Sequence, residues 1–197
     1  MTVSLSKGGK VNLGKESAAS GGNPTIKVGK FGLKWDMVPG SDCDLDRFAI
    51  ELDASGKPAF GESSLVYYNQ PKNNSGSIEM SPDNRNGEGE GYDETGTITF
   101  EKVPDQVKEI IVCVSIFDYE VRRQNFGQVK SAAIDVINGD DGNILTHTDL
   151  EEDLSMETGA IIGRFRREDD GSWSFKALAE TFRDGMPGIL TKYGIAF

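Results

Sequence analysis

Two short stretches of the sequence concentrate carboxylates. The first, Asp42–Asp46, reads DCDLD, and the second, Asp83–Glu94, reads DNRNGEGEGYDE. Side chains at i, i+2 and i+4 of an extended segment share one face, so Asp42, Asp44 and Asp46 would point the same way and repel one another unless something neutralises them. Glycines in the second stretch let the backbone approach a ligand closely. The pattern indicates either a solvated acidic loop or a cage for a hard cation.

Calcium is the cation that these residue types suit best. It takes about six to eight hard oxygen ligands in a loose geometry, and the two stretches together supply eight carboxylates, enough for one ion or two. Magnesium demands a tighter octahedron, while zinc and copper prefer imidazole or thiolate; the chain has one histidine, His147. Neither stretch is an EF-hand, because Arg47 and Glu88 stand where that loop requires glycine.

Composition limits the possible partners. The chain of 197 residues carries a formal net charge of -11, which disfavours nucleic acid and anionic membranes as binding partners. No apolar run approaches the roughly 18 residues of a membrane helix, and the start lacks a secretory signal, so a cytoplasmic location is expected. Cys43 and Cys113 are interpreted as free thiols, since two cysteines in a chain of this length make no disulfide framework.

Alternating apolar and polar residues predict many short strands. The stretch Val3–Leu13 alternates on either side of Gly8 and Gly9, which predicts an opening hairpin. A strand containing Phe48 should begin directly after the first acidic stretch. The nearly continuous apolar run Ile110–Phe117 suits a strand buried on both faces, although periodicity alone also allows a buried helical segment.

Turn signals complete the predicted architecture. Asp141-Gly142 and Asp170-Gly171 each lie between alternating runs and predict hairpin turns with positive φ. Only the stretch Met186–Gly194 has a helical pattern. These features predict an all-β protein, an antiparallel β-sandwich with few short helices, formed as a single domain over residues 1–197.

The motifs resemble the TerD domain proteins of bacterial tellurium resistance and stress response. The resemblance covers nearly the whole chain and is most specific where DNRNGEGEGYDE combines with RQNFGQV at Arg123–Val129. Further matching segments are VSLSKGG at the start, GLKWD at Gly32–Asp36, DLD at Asp44–Asp46, YYNQ at Tyr67–Gln70 and METGAIIGRFRREDDGSWSF at Met156–Phe175.

The resemblance implies a β-sandwich that binds calcium in acidic loops at one end. The matching positions are Asp44 and Asp46 in the first stretch and Asp83, Asn84, Gly87, Gly89, Glu90, Asp93 and Glu94 in the second, with Asp36 and Asp118 as further candidates beside Asp42. Tyr92 stands where family members usually have another aspartate. The missing carboxylate leaves open whether one or two Ca²⁺ ions bind.

Two classes of function follow. The first is a non-enzymatic binding or scaffold module of the stress response, whose partners are other stress or resistance proteins, with any membrane contact made through such a partner. The alternative is a metal-dependent enzyme acting on a phosphorylated or carbonyl small molecule. The sequence has no Walker loop or dinucleotide fingerprint, and His147 lies in an alternating stretch that predicts an exposed strand position. No catalytic residue is assigned, and the oligomeric state is left open.

Overall fold

The protein is a sandwich of two sheets. The computed structural model describes residues 2–37, 43–82, 91–150 and 156–196, and within these ranges each sheet has six strands. The first sheet contains, in spatial order, β1 (Val3–Ser4), β10 (Ile144–Asp149), β9 (Val129–Asn138), β3 (Val28–Met37), β7 (Glu94–Thr99) and β6 (Ile78–Met80). The second contains β2 (Lys10–Asn12), β12 (Trp173–Phe182), β11 (Gly159–Arg167), β8 (Glu109–Ile116), β4 (Leu45–Leu52) and β5 (Leu65–Val66).

Antiparallel pairing dominates both sheets, and only the β1–β10 pair among the described strands is parallel. Short helices accompany the strands: α1 (Leu13–Ala19), α2 (Tyr119–Arg122) and α3 (Gly185–Tyr193), with single 3-10 turns at Gly61–Ser64, Phe100–Lys102 and Phe126–Gln128. The predicted fold class, an antiparallel β-sandwich with few short helices, is confirmed. None of the helices in the described ranges combines the length and apolarity needed to cross a bilayer.

The second sheet is buried on both faces. One face packs against the first sheet, in a core that includes Phe31, Ile134 and Phe165. The other face is covered by α3, whose Ile189 and Leu190 pack in a separate cluster with residues of β4 and β8. This two-sided burial explains why β8 is nearly continuously apolar, and it confirms the predicted buried strand.

The predicted opening hairpin is wrong. A turn does form at Gly8, which has φ +85°, but β1 pairs with β10 in the first sheet while β2 pairs with β12 in the second. The chain therefore crosses between the layers instead of folding back on itself. The sequence pattern did not predict the helix α1, which begins at Leu13. The Asn12 side chain caps this helix by accepting a hydrogen bond from the Lys15 N–H at 3.1 Å.

The Asp-Gly turns are confirmed. Gly142 (φ +79°) lies between the antiparallel strands β9 and β10, and Gly171 (φ +80°) lies between β11 and β12. Neither cysteine is in a disulfide, as predicted, and both are buried. Cys43 packs in the core between the sheets and Cys113 in the cluster under α3, so the two thiols lie in different apolar cores.

Candidate metal centre

The ends of the two acidic stretches meet at one end of the sandwich. Arg47, which follows Asp46 in β4, lies with its Nη1 2.5 Å from Oε1 of Glu94, the last residue of the second stretch. The backbone N–H of Arg47 also donates to Glu94 Oε2 at 3.1 Å. Both side chains are buried, 2% and 0% exposed. Segments 47 residues apart in sequence are thus joined by a buried ion pair.

Arg47 also fixes the base of the second stretch. Its Nη2 donates to the carbonyl oxygen of Ser81, and its Nε donates to the carbonyl oxygen of Thr95 at 3.1 Å. Ser81 and Thr95 are themselves paired, with the Ser81 N–H donating to Thr95 O at 2.9 Å. One guanidinium therefore holds the points where the chain leaves β6 and where it begins β7. The sequence signal for this role was the single basic residue in the segment that forms β4.

Asp44 and Asp46 of the first stretch lie where β4 begins beside the end of β8. Asp44 and Asp46 are only 8% and 7% exposed. The carbonyl oxygen of Asp44 accepts from the Phe117 N–H at 2.8 Å, and Asp46 lies opposite Ser115 in the strand register. Asp118 comes directly after Phe117 in the sequence; its side chain is exposed and its φ is +51°. The structure thus brings Asp44, Asp46 and Asp118 to the same end of the β4–β8 pair, where β4 begins and β8 ends.

Asp93 and Asp36 lie at the end of the first sheet. The Trp35 N–H donates to Asp93 Oδ2 at 2.9 Å, and the Asp93 N–H donates to Leu33 O at 3.0 Å. Burial is the main cause that raises the pKa of Asp93, the negative charge of Asp36 raises it further, and the hydrogen bond from Trp35 acts in the opposite direction. A cation beside these two carboxylates would remove their mutual repulsion.

The remaining predicted ligands cannot be placed. Outside the described residues lie Asp42, Asp83, Asn84, Gly87, Gly89 and Glu90. In the part of the chain that the structure describes, no three histidine, cysteine, aspartate or glutamate side chains form a group that could hold a metal ion. The described carboxylates converge on one end of the sandwich but do not by themselves complete a coordination sphere, so the ligand set stays a prediction.

The donor chemistry of this end fits a hard cation. The candidate ligands in the described part of the chain are all aspartate or glutamate residues, so they offer only oxygen atoms for coordination. The Cys43 thiol belongs to the core between the sheets and donates to Gln128 Oε1 at 3.7 Å, so it is not positioned as a soft ligand. Glu94 is a special case, because both of its oxygens already accept from Arg47 and it would have to release that partner to bind an ion.

A polar network on the outer face of the first sheet was not predicted. The Tyr92 hydroxyl donates to Asp135 Oδ2 at 2.8 Å, while His147 Nδ1 lies 2.6 Å from Asp135 Oδ1. His147 Nε2 lies 3.1 Å from Asp149 Oδ1. The histidine side chain is 36% exposed, so the expected exposed position is in fact half-buried between two carboxylates. The hydrogen bond to Asp135 is the main cause that raises the pKa of His147.

Tyr92 is bound firmly by this network. Its ring packs on Gly32, where an added Cβ would lie 2.4 Å from the ring, and the Lys34 ammonium lies 4.5 Å from the ring centroid. Burial and the hydrogen bond to Asp135 raise the pKa of the Tyr92 hydroxyl. The residue that stands in place of an expected aspartate is therefore a tether between the second acidic stretch and the first sheet.

Known proteins resemble this chain along its whole length. The TerD domain model matches residues 1–193. The tellurium resistance protein TerD of Serratia marcescens is 40% identical over 197 residues, which is 99% of this chain and 98% of that protein. General stress protein 16U of Bacillus subtilis is 38% identical over 198 residues, again 99% of this chain and 98% of the relative.

Solved structures show the same architecture. The crystal structure of a homologue of telluride resistance protein (TerD) from Streptomyces coelicolor superposes with a TM-score of 0.71 at 25% identity, covering 88% of this chain and all of the homologue. A crystal structure of a protein of unknown function gives a TM-score of 0.67 at 25% identity, with 80% of this chain and 91% of the other covered. The chain belongs to the TerD domain family.

Proposed function

We propose that this protein is a calcium-binding β-sandwich of the bacterial tellurium-resistance and general stress response, acting in the cytoplasm as a binding or scaffold module. The names of the relatives supply the physiological context. The single observation that supports the metal most strongly is the contact between Arg47 and Glu94, since it joins the residue after the first acidic stretch to the last residue of the second. Asp46, the neighbour of Arg47 in the first stretch, and Glu94 in the second therefore belong to the same end of the sandwich.

Electrostatics favour an ion at this end. The negative charge of Asp36 acts on the Asp93 carboxylate, and like charges that lie close together repel each other unless an opposite charge compensates. The chain as a whole carries a net charge of -11, so repulsion opposes the compact state in the absence of cations. A bound Ca²⁺ would offset both effects and stabilise the fold by mass action, by about 2.7 kcal/mol at a free concentration of one hundred times Kd.

We propose that the ligands come from Asp42, Asp44 and Asp46 of the first stretch and from Asp83, Glu90 and Asp93 of the second, with carbonyl oxygens of the glycine-rich segment. Glu94 would contribute chiefly by positioning, through Arg47. The hydroxyl of Tyr92 is committed to Asp135, which supports one ion rather than two.

Isothermal titration calorimetry tests the proposal. The wild-type chain, stripped of metal with a chelator, is titrated with Ca²⁺, then with Mg²⁺ and Zn²⁺. Asp46→Asn and Asp93→Asn should each weaken Ca²⁺ binding at least tenfold, whereas Glu62→Gln, an exposed carboxylate on a 3-10 turn, should leave it unchanged. Equal Ca²⁺ affinity in all four proteins would remove these stretches from the site.

The scaffold role needs a separate measurement. Tagged protein is used to capture partners from cells of its own bacterial source, with Ca²⁺ present or with a chelator. We expect the same stress or resistance proteins to be recovered with wild type and with Glu62→Gln, and to be lost when Ca²⁺ is removed. If the same partners were recovered with and without Ca²⁺, and with Asp46→Asn as with wild type, partner binding would not depend on the metal.

A further inference from the structure

A cavity of about 510 Å³ opens on the outer face of the second sheet, beside the junction of β4 and β8. The last residues of β8 and the turn into α2 form one wall, and the start of α3 forms another. A volume of this size lies within the range of about 300–1,000 Å³ that is usual for specific binding sites. The cavity is therefore large enough to hold a long side chain.

Its mouth exposes apolar side chains. Tyr68 and Phe117 are 36% and 37% exposed, and Val121 on α2 is 84% exposed. The two rings contact each other edge to face, with centroids 6.3 Å apart, and no described side chain covers them fully. Clustered exposed apolar residues beside polar ones are typical of interaction surfaces.

The same cavity is strongly acidic. Carboxylates line it from three separate parts of the chain: Asp46 in β4, Asp118 and Glu120 at α2, and Asp184 at the start of α3. No lysine or arginine is among the described residues that line it. Such a surface is complementary to a cation and would repel an acidic or phosphorylated partner.

A contact within the chain illustrates how a cation can lie on an aromatic ring of this cavity. The Arg122 guanidinium lies 6.0 Å from the centroid of the Phe117 ring, over an aromatic face at the edge of the cavity. An arginine or lysine side chain can lay its methylene stem on such rings while its charged head reaches carboxylates. An apolar neighbour on the same ligand would pack against Val121.

We propose that this cavity docks a segment of a partner protein that presents an arginine or lysine side chain next to an apolar residue. The inference rests on the proposed scaffold role and gives the chemistry of the partner, but it does not require that the proposed calcium ligands be correct. Glu120 and Asp184 lie outside that ligand set and supply the charges by which docking is tested.

The test uses the full-length chain and three probes. Backbone amide resonances are followed by NMR during titration with the peptide acetyl-Leu-Arg-Leu-amide, with its neutral match acetyl-Leu-Gln-Leu-amide, and with free agmatine. The double variant E120Q/D184N is compared with E62Q/D169N, which removes two exposed carboxylates elsewhere. Every titration is run in Ca²⁺ and in chelator, and Ca²⁺ binding of each variant is measured by calorimetry.

We expect the arginine peptide to shift amides from Ile116 to Val121 and around Met186, and to bind at least about fivefold more tightly than the glutamine peptide. E120Q/D184N should lose about tenfold in affinity, and E62Q/D169N should lose none. The inference would be overturned by an arginine-peptide affinity that is unchanged in E120Q/D184N, by equal affinities of the two peptides, or by amide shifts centred elsewhere in the protein.

Three further outcomes distinguish the docking inference from its alternatives and from the metal proposal. Agmatine that binds as tightly as the arginine peptide would assign the cavity to small organic cations and overturn the polypeptide assignment. Normal Ca²⁺ binding without peptide binding would refute the docking inference alone, whereas peptide docking by a chain that binds no Ca²⁺ would refute the metal proposal alone.

Discussion

Arg47 Nη1 and Glu94 Oε1 lie 2.5 Å apart inside the protein, where both side chains are almost completely shielded from water. A buried pair of this kind contributes little compared with an apolar pair of the same size, but removing one partner leaves an uncompensated charge. Its position gives it another consequence. The pair joins β4, which begins inside the first acidic stretch, to the residue that ends the second.

The buried pair should therefore be costly to break. Glu94→Gln is expected to lower the free energy of unfolding by about 3–5 kcal/mol, because the Arg47 guanidinium keeps its burial and loses its counter-charge. The matched control is Glu79→Gln, which removes a pair to Lys72 whose side chains are 62% and 56% exposed and should cost less than about 1 kcal/mol. Urea unfolding followed by circular dichroism measures both.

A second variant keeps this prediction testable if Glu94→Gln fails to fold. The double change R47M/E94L replaces the pair by apolar side chains and should be more stable than E94Q alone. If E94Q and E79Q had equal effects on the urea midpoint, the pair could not be holding the two stretches together.

The tether at Tyr92 should be sensitive to the glycine beneath it. Gly32→Ala places a Cβ 2.4 Å from the Tyr92 ring, so the ring must move, at a cost of about 1–3 kcal/mol. Tyr92→Phe removes only the hydroxyl bond to Asp135 and should cost about 1 kcal/mol. In the Tyr92→Ala background, Gly32→Ala should be nearly neutral. Thermal unfolding of wild type, Gly32→Ala, Tyr92→Ala and their double variant gives the coupling, and additive effects would show that the ring is not the obstacle.

The His147 network predicts a pH dependence of stability. Asp135 and Asp149 raise the pKa of His147 in the folded state, and the Lys34 ammonium, 3.9 Å from Asp135 Oδ2, and the Tyr92 hydroxyl also face Asp135. A raised folded pKa means that the stabilisation is complete below the unfolded pKa, near 6.5, and is lost as pH rises through the folded value.

Wild type should therefore lose stability relative to His147→Gln as pH rises above about 6.5. The difference between their urea midpoints at a series of pH values gives the linkage, and the chemical shift of the single histidine gives its pKa directly. A histidine pKa below 6.5 in the folded protein, or midpoints that stay parallel throughout, would contradict the proposed role of Asp135.

Local patterns in the sequence predicted much of this fold. The Asp-Gly turns at Gly142 and Gly171 can be predicted from the two turn residues and the flanking strands alone. The strand β8 can be predicted from its apolar run. The partner of a two-residue edge strand cannot be found this way. β1 lies beside β10, far away in sequence, so the opening hairpin was the simpler and wrong prediction.

The candidate site, like the fold, was predicted only in part from the sequence. Carboxylate spacing predicted that Asp44 and Asp46 share a face, and the resemblance to TerD domain proteins implied that the acidic stretches lie at one end of the sandwich. The roles of Arg47 and Asp135 were invisible, because each depends on a contact with a distant segment. The signal for Arg47 was a single basic residue in a segment predicted to be a strand, since a buried charge requires a partner.

The most direct test of the account is an anomalous-difference map from a crystal of the full-length chain grown in Ca²⁺. We predict a peak at the end of the sandwich next to Arg47 and Glu94, coordinated at about 2.3–2.6 Å by oxygens from both acidic stretches. A map in which the two stretches lie side by side with only water between their carboxylates would contradict it.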